Sequence, residues 1–294
     1  MKPQEFTTRT IQNKETQVSD GMHGKNRFTL GTACLALAGA FAGAAHAEDG
    51  MIPWGTETFK LNLGGIVNTN STKLRLDGST GRGTDVDLEG TTGLSGSGVS
   101  SFLASGTWRF APNHRIGAVV FTADRDATRA IDRTITIGDT VIPINTNLTT
   151  SAKSQFFIVN YEYSFIKNDA LELSGVLGLY GANYKYRFSA SSPIVNIDKS
   201  TTAPLPVIGL RADFFLSPHW TIGILGEGLS VKIGDVDGSI YHVAITTDYM
   251  FSRNWGVGLG YALADAKADV NKSGFNGHLG WRMDGYTAYL QMRF

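Results

Sequence analysis

The sequence predicts an all-β fold, an up-and-down antiparallel transmembrane β-barrel of about ten strands, with eight and twelve as the neighbouring counts, preceded by a cleavable signal peptide. Three observations carry this expectation. Apolar and polar residues alternate with period two in segment after segment from residue 58 to the last residue. Very short polar turns separate some segments, and long Gly/Ser/Thr/Asp-rich stretches separate others. Full charges stand in mid-strand on the face opposite the apolar one.

The amino-terminal segment sets the compartment. Phe28 to Ala45 (FTLGTACLALAGAFAGAA) carries no charge, follows Lys25 and Arg27, and ends in Ala45-His46-Ala47 before Glu48. These are the basic region, apolar region and small-residue cleavage site of a secretory signal, with Ala45 and Ala47 as the cleavage residues. Residues 1–47 are therefore assigned to the signal and 48–294 to the barrel domain. Met22 is the expected start, since it gives the signal normal proportions. A membrane anchor is the bland alternative, because about 18 apolar residues just span a bilayer; the Gly/Ala richness and the cleavage site argue against it. Cys34 does not read as a lipoprotein cysteine, because Gly31 stands where such signals want Leu and the apolar run continues past it.

Composition excludes several classes. The 294 residues include one Cys, which rules out a disulfide scaffold. Lys+Arg and Asp+Glu number 26 each, with no basic cluster, so a dedicated nucleic-acid binder is excluded. No later stretch has the length and apolarity of a transmembrane helix, so an exported chain that enters a membrane must do so with strands.

The strands follow in order. Weaker alternation covers 58–68, 100–110 and 114–124. Phe157, Val159, Tyr161, Tyr163 and Phe165 then alternate with Asn160, Glu162 and Ser164, so one face is oily and the other wet. Leu171, Leu173, Leu177 and Leu179 oppose Glu172 and Ser174; Ile208, Leu210, Ala212 and Phe214 oppose Arg211 and Asp213. Further strands are expected at 219–232, at Tyr241 to Phe251 against His242, Thr246 and Asp248, at Trp255 to Leu263, and at Tyr286 to Phe294. Phe110, Phe165, Leu216 and Phe251 each precede a short polar turn such as Pro112-Asn113 or Ser217-Pro218-His219. At the opposite ends, long loops are expected over 69–98, 125–152, 187–203 and 265–277. Residues 132–148 read as a strand pair across Gly138-Asp139 that extends the second loop.

Alternation alone does not say which face is inside. A soluble barrel would turn its apolar face inward, whereas a membrane barrel turns it to lipid and closes so that no edge is unpaired. Aromatic strand ends, with Trp220 and Trp255 opening strands after the turns, fit an interfacial girdle. The charged face holds Lys60, Arg109, Arg115, Arg211 and Arg293 with Glu162, Glu172, Asp213, Glu227 and Asp248. Ten such groups do not fit a dry core, but around a lumen they can pair, so a lumen charge network is expected.

These features resemble the small outer-membrane β-barrel proteins of Gram-negative bacteria, over about residues 48–294. The last strand, YTAYLQMRF, is similar to the assembly signal of those proteins, with Tyr286, Ala288, Leu290, Met292 and Phe294 at the alternate positions. The resemblance implies residence in the outer membrane of a Gram-negative bacterium, outer-membrane lipid as surroundings, and the barrel assembly machinery as partner during insertion. It implies periplasmic short turns and external long loops.

Function is less legible. About ten strands leave a bore that side chains can fill, so a wide pore is not expected. A porin-like but narrow, low-conductance conduit for small solutes stays open beside a structural or surface-exposed envelope role. The alternatives are an outer-membrane hydrolase with a rim site at His242 or His278, and an adhesin using loops 69–98 and 125–152. The expectation is no enzyme, no catalytic residue, no cofactor, no metal site, no nucleic acid, and a monomer. Asp85, Asp87 and Glu89, with Asp235 and Asp237, lack EF-hand spacing and read as solvated loop carboxylates. The glycines of 78–83 and 90–98 lack a phosphate-loop ending and read as flexible exposed loop. His114 and His219 read as turn residues.

Overall fold

The computed structural model describes residues 50–79, 81–272 and 275–294. The signal segment and the cleavage residues Ala45 and Ala47 lie outside the described residues. Among the described residues ten long strands form the wall: β1 (Phe59–Leu76), β3 (Val99–Ala111), β4 (His114–Ala130), β7 (Asn147–Lys167), β8 (Leu171–Ser191), β9 (Ile194–Phe215), β10 (Trp220–Ile233), β11 (Val236–Met250), β12 (Trp255–Lys272) and β13 (Phe275–Arg293). Each pairs antiparallel with its neighbour, and β13 pairs with β1 from Arg293↔Lys60 to Gly277↔Leu76, which closes the sheet. Three short strands and one helix lie in the connections: β2 (Val86–Asp87), α1 (Leu88–Thr92), β5 (Ile135–Ile137) and β6 (Thr140–Ile142). The pair β5–β6 turns at Gly138, whose φ of 60° lies in the left-handed region that favours glycine.

The short turns are held by their own side chains. Asn168 Oδ1 accepts from the backbone of both Ala170 and Leu171 at 2.9 Å. Ser217 Oγ accepts from His219 and Trp220, and Ser252 Oγ from Trp255. These are the local bonds that make Asn and Ser turn formers.

The wall carries two opposite polarities along its height. On β7 the outward residues near the short turns are Phe157, Val159, Tyr161, Tyr163 and Phe165, and the inward ones are Asn160, Glu162 and Ser164. Toward the long-loop end the pattern inverts: Asn147, Thr149, Lys153 and Gln155 face out, while Leu148, Ala152, Phe156 and Ile158 are buried inside. On β8 Leu177 and Leu179 give way to Lys185 and Arg187 outside, and Glu172 and Ser174 give way to Tyr184, Tyr186 and Phe188 inside. The outward apolar stretch on β7, residues 157–165, has the length of a tilted membrane-spanning strand, roughly 9–11 residues. Leu177, Val243 and Leu259 are 58%, 54% and 58% exposed on this belt, while Glu172 is fully buried within.

Physics demands the inversion. Within the belt the outer medium is hydrocarbon, so apolar groups face out; above it both faces obey the rule of a soluble barrel. A girdle of rings marks the short-turn edge of the belt, where Phe59, Trp108, Phe110, His114 and Tyr163 follow one another at centroid spacings of 5.1–6.1 Å.

The inversion corrects the expected loops. Of the four long loops, 187–203 and 265–277 are largely wall: β8 runs to Ser191 before β9 starts at Ile194, and β12 runs to Lys272. Their outward Ser, Thr, Asn, Asp and Lys residues read as loop because strands above the membrane show water a polar face. The two true excursions, 77–98 and 131–146, fold onto the barrel. Leu88, Ile135, Ile142 and Leu148 are fully buried in one apolar cluster with Leu74, Phe121, Phe156 and Trp281. The first excursion is thus anchored through Val86, Leu88 and Leu94, while Gly81, Gly90 and Gly98 are exposed as their composition suggested. Asp87 caps α1 by accepting from Gly90 at 3.1 Å, and Gly93 ends it in the left-handed region.

Candidate functional site in the barrel lumen

Six of the ten charged residues singled out in the sequence meet in one buried cluster at belt height. Arg115 and Glu162 are cross-strand partners on β4 and β7, which places Arg115 Nε 2.7 Å from Glu162 Oε2. Register also sets like charges opposite each other, Arg109 against Arg115 and Glu172 against Asp213. Either pairing alone would repel. The lumen resolves both by interleaving: Arg109 holds Glu172 with two bonds of 2.8 and 2.9 Å, and Arg115 reaches Asp213 at 2.9 Å and Glu172 at 3.5 Å. Arg211 closes the ring on Glu162 at 3.2 Å, and Ser164 donates to Glu172. The fork of each guanidinium matches two carboxylate oxygens, a geometry Lys does not offer.

The remaining four lie apart from this cluster. Asp248 accepts from the Tyr289 hydroxyl at 2.5 Å. Glu227 sits beside His242, its direct partner across β10 and β11, with Oε1 2.9 Å from Nδ1; Tyr180 Oη contacts both groups, 2.6 Å from Nδ1. Lys60 lines the central cavity, a space of about 220 Å³ that the cluster apart from Arg109, with His242, Asp248 and Tyr289, also borders. Arg293, with no exposed surface, lies 3.7 Å over the ring of Trp54 and donates to the Ile52 carbonyl at 3.1 Å.

Trp54 belongs to a feature the period-two pattern does not reveal. Residues 50–58 enter the short-turn end of the lumen before β1 begins. Trp54 Nε1 donates to the Ser217 carbonyl at 2.9 Å, Arg253 to that of Gly50 at 3.1 Å, and Glu57 lies 4.0 Å from Arg109. Gly55 fits because any Cβ there would press within 3.1 Å of Glu172 Oε2. The lumen is therefore occupied at one end by this segment and at the other by the apolar cluster and the two excursions.

The histidines are dispersed. His114 pairs with the Tyr161 hydroxyl and His219 with the Met250 carbonyl, each at 2.7 Å, at the short turns. His278 is 2.9 Å from Asp269 on the outer side of the wall above the belt. His242 faces the lumen at mid-height and not the rim where the sequence placed it, because β11 continues above it to Val236. Of the acidic loop residues, Asp85 meets Arg75 and Arg82 while staying largely exposed, Glu89 meets Arg125 at 2.5 Å, and Asp87, Asp235 and Asp237 are exposed. Among the described residues no group of three or more His, Cys, Asp or Glu could hold a metal ion. Above the belt the interior is dry enough that burial pushes the Tyr184 and Tyr186 phenols up from their ordinary value.

The assembly positions Tyr286, Ala288, Leu290 and Met292 all lie on the outward face of β13, with Tyr286 and Phe294 exposed. Arg293 and Gln291, between them, point inward and are fully buried.

A closed antiparallel wall with an outward apolar belt and a charged lumen defines the fold as that of an outer-membrane β-barrel. Among solved structures the chain is similar to the outer membrane protease OmpT from Escherichia coli, with a TM-score of 0.55 and 12% identity over 84% of this chain and 100% of that one. At this identity the likeness is one of fold. The translocator domain of the autotransporter NalP from Neisseria meningitidis matches with a TM-score of 0.38 and 12% identity over 90% and 98% of the two chains. Ail, the attachment invasion locus protein of Yersinia pestis, matches with a TM-score of 0.35 and 11% identity over 80% and 99%. No family model and no curated protein matches the chain.

Proposed function

We propose that this is a structural, surface-presenting envelope protein of a Gram-negative outer membrane, whose barrel holds its two folded excursions outside the cell and keeps its lumen shut. The observation that carries the reading is the occupation of both lumen ends, by residues 50–58 below and by the apolar cluster above. The charge cluster supports it. Three arginines facing Glu162, Glu172 and Asp213 at bonding distance neutralise one another, and so present no single-sign ring of the kind that selects ions. A narrow conduit for small solutes requires displacement of residues 50–58. The surroundings in this reading are outer-membrane lipid, the assembly machinery acts only during insertion, and the working unit is a monomer without nucleic-acid partner.

The test is planar-bilayer conductance of the refolded protein, with heat-modifiable gel migration as proof of folding. Silence with small and bulky ions supports the closed reading; steady channels from folded protein overturn it.

A hydrolase is the second reading, favoured by one observation, the 2.9 Å Asp269–His278 pair near the rim. A His-carboxylate pair is two thirds of a general-base device and needs a nucleophile within reach. Hydrolysis of peptide or lipid ester by the parent, lost in His278→Ala, would establish it. Equal inactivity of parent and variant would remove it.

A further inference from the structure

The wall is breached twice above the belt, and only one breach is filled. Where β3 ends early, the first excursion occupies the gap: Glu89 of α1 accepts from the Thr72 backbone at 2.7 Å on one side and from Arg125 at 2.5 Å on the other. The second breach lies between β9 and β10. These strands pair only from Phe215↔Thr221 to Ile208↔Gly228. Above that point β9 continues to Ile194 along β8, and β10 continues to Ile233 along β11, with no pairing between them among the described residues.

Sequence explains why this edge stays open. Pro204 and Pro206 have the same strand parity, so both missing N–H donors fall on one side of β9. Because β8 keeps its register through Leu179↔Pro206 and Gly181↔Pro204, the donor-poor side is the one toward β10. The same prolines oppose strand addition by another polypeptide.

The seam begins at the upper margin of the apolar belt. Ile208 and Leu210 are exposed below it, and Pro206 stands beside the exposed Leu179. Behind it lies an apolar crevice of about 40 Å³, lined by Tyr180, Leu205, Ile240, Ala268, Leu279 and Trp281 among others. Leu205 bridges the breach from inside and packs on Gly238 of β11, so closely that a Cβ there would lie 2.9 Å from Leu205 Cδ2. Across this stretch Leu205 thus lies where, among the described residues, no β9–β10 backbone pairing closes the wall.

We propose that the β9–β10 seam is a lateral port through which a linear alkyl chain passes from the outer leaflet into the crevice beside Trp281, with Leu205 as its door. This rests on the reading that the apolar belt lies in a membrane. The ligand class follows from position and lining: hydrocarbon reaches the seam along the belt, and the crevice walls, Lys267 apart, are apolar or aromatic. The small volume describes the closed door; rotation of Leu205 off Gly238 enlarges it.

The experiment uses the full barrel with Trp281 as its sole tryptophan, the other four being replaced by Phe. Trp281 is 7% exposed and faces inward, so a sealed wall would shield it. It is reconstituted in bilayers of chain-brominated phosphatidylcholine, or in unbrominated bilayers with 12-bromododecanoic acid added, and compared with iodide in water. Quenching by brominated chains several-fold above that by iodide supports the port. The first bilayer reports a membrane lipid's own chain and the second a free amphiphile. Continuing the observed register sets Pro206 opposite Ser230, so the oxidised Pro206→Cys/Ser230→Cys pair should abolish the effect and its reduction restore it. Ala268→Phe, which fills the crevice from within, should abolish it independently. Absence of chain quenching in the parent barrel, or quenching untouched by both variants, overturns the proposal. A sole-tryptophan barrel retaining Trp220 tests the membrane reading separately, since Trp220 lies outward on the belt: if brominated lipid leaves it bright, that reading fails and not merely the port.

Discussion

Replacement of Arg115 by Met should cost more than any other single change in the lumen. Arg115 is nearly fully buried and serves three carboxylates, at 2.7 Å to Glu162, 2.9 Å to Asp213 and 3.5 Å to Glu172. Met approximates the volume of the stem, so the loss is electrostatic more than steric. Removing one partner of a buried ion pair typically costs about 3–5 kcal/mol, because the charge left behind is uncompensated. Arg109 and Arg211 remain near the same carboxylates, which points to the lower part of that range. At about 1.4 kcal/mol per tenfold, 3 kcal/mol is more than a hundredfold in the unfolding equilibrium. The assay is urea unfolding in bilayers, read by the fraction migrating as folded barrel without boiling. The double variant Arg115→Met/Glu162→Gln restores charge balance and should be more stable than the sum of its single changes predicts, by about 1 kcal/mol or more. If Arg115→Met unfolds within about 0.5 kcal/mol of the parent, the cluster is hydrated and loosely held, and the reasoning from burial fails.

Three further outcomes follow from the same geometry. Leu177→Arg places a charge on the outward belt and should cost about 2–4 kcal/mol near the bilayer midplane, whereas Lys185→Leu, higher on the same strand face, should change stability little; paired urea titrations check the contrast. Trp54→Ala removes the ring under Arg293 and should loosen the segment 50–58, seen as new small-ion conductance or as faster proteolysis at that segment when the protease is supplied on the short-turn side. Val substitution of both Pro204 and Pro206 returns two donors to the β9 edge, and amide exchange of residues 229–233 should slow if pairing with β10 extends.

The wall was legible because a single strand with unlike media on its two faces must alternate, and residues 159–165 do so without exception. The inverted upper wall was not, since Thr149, Ser151, Lys153 and Gln155 facing water have the composition of a loop. Their inward partners are spread among small residues such as Ala152 and Ser154, which blunts the contrast. The charged inward residues could be named from parity alone. Their partners could not, because Glu227 meets His242 and Arg115 meets Glu162 through register between strands, which a local pattern does not contain. Trp54 and Glu57 precede the first strand and carry no periodicity at all. The only local hint of the seam was two prolines in one strand, which a reading by alternation passes over as loop.

The exchange of polarity along the wall is measured most directly by site-directed spin labels. Labels at 177, 243 and 259 should collide with membrane-dissolved oxygen and be shielded from a water-soluble nickel chelate, while labels at 153, 185 and 267 should show the reverse. A uniform response along both sets, or oxygen access at 185 with chelate access at 177, would contradict it.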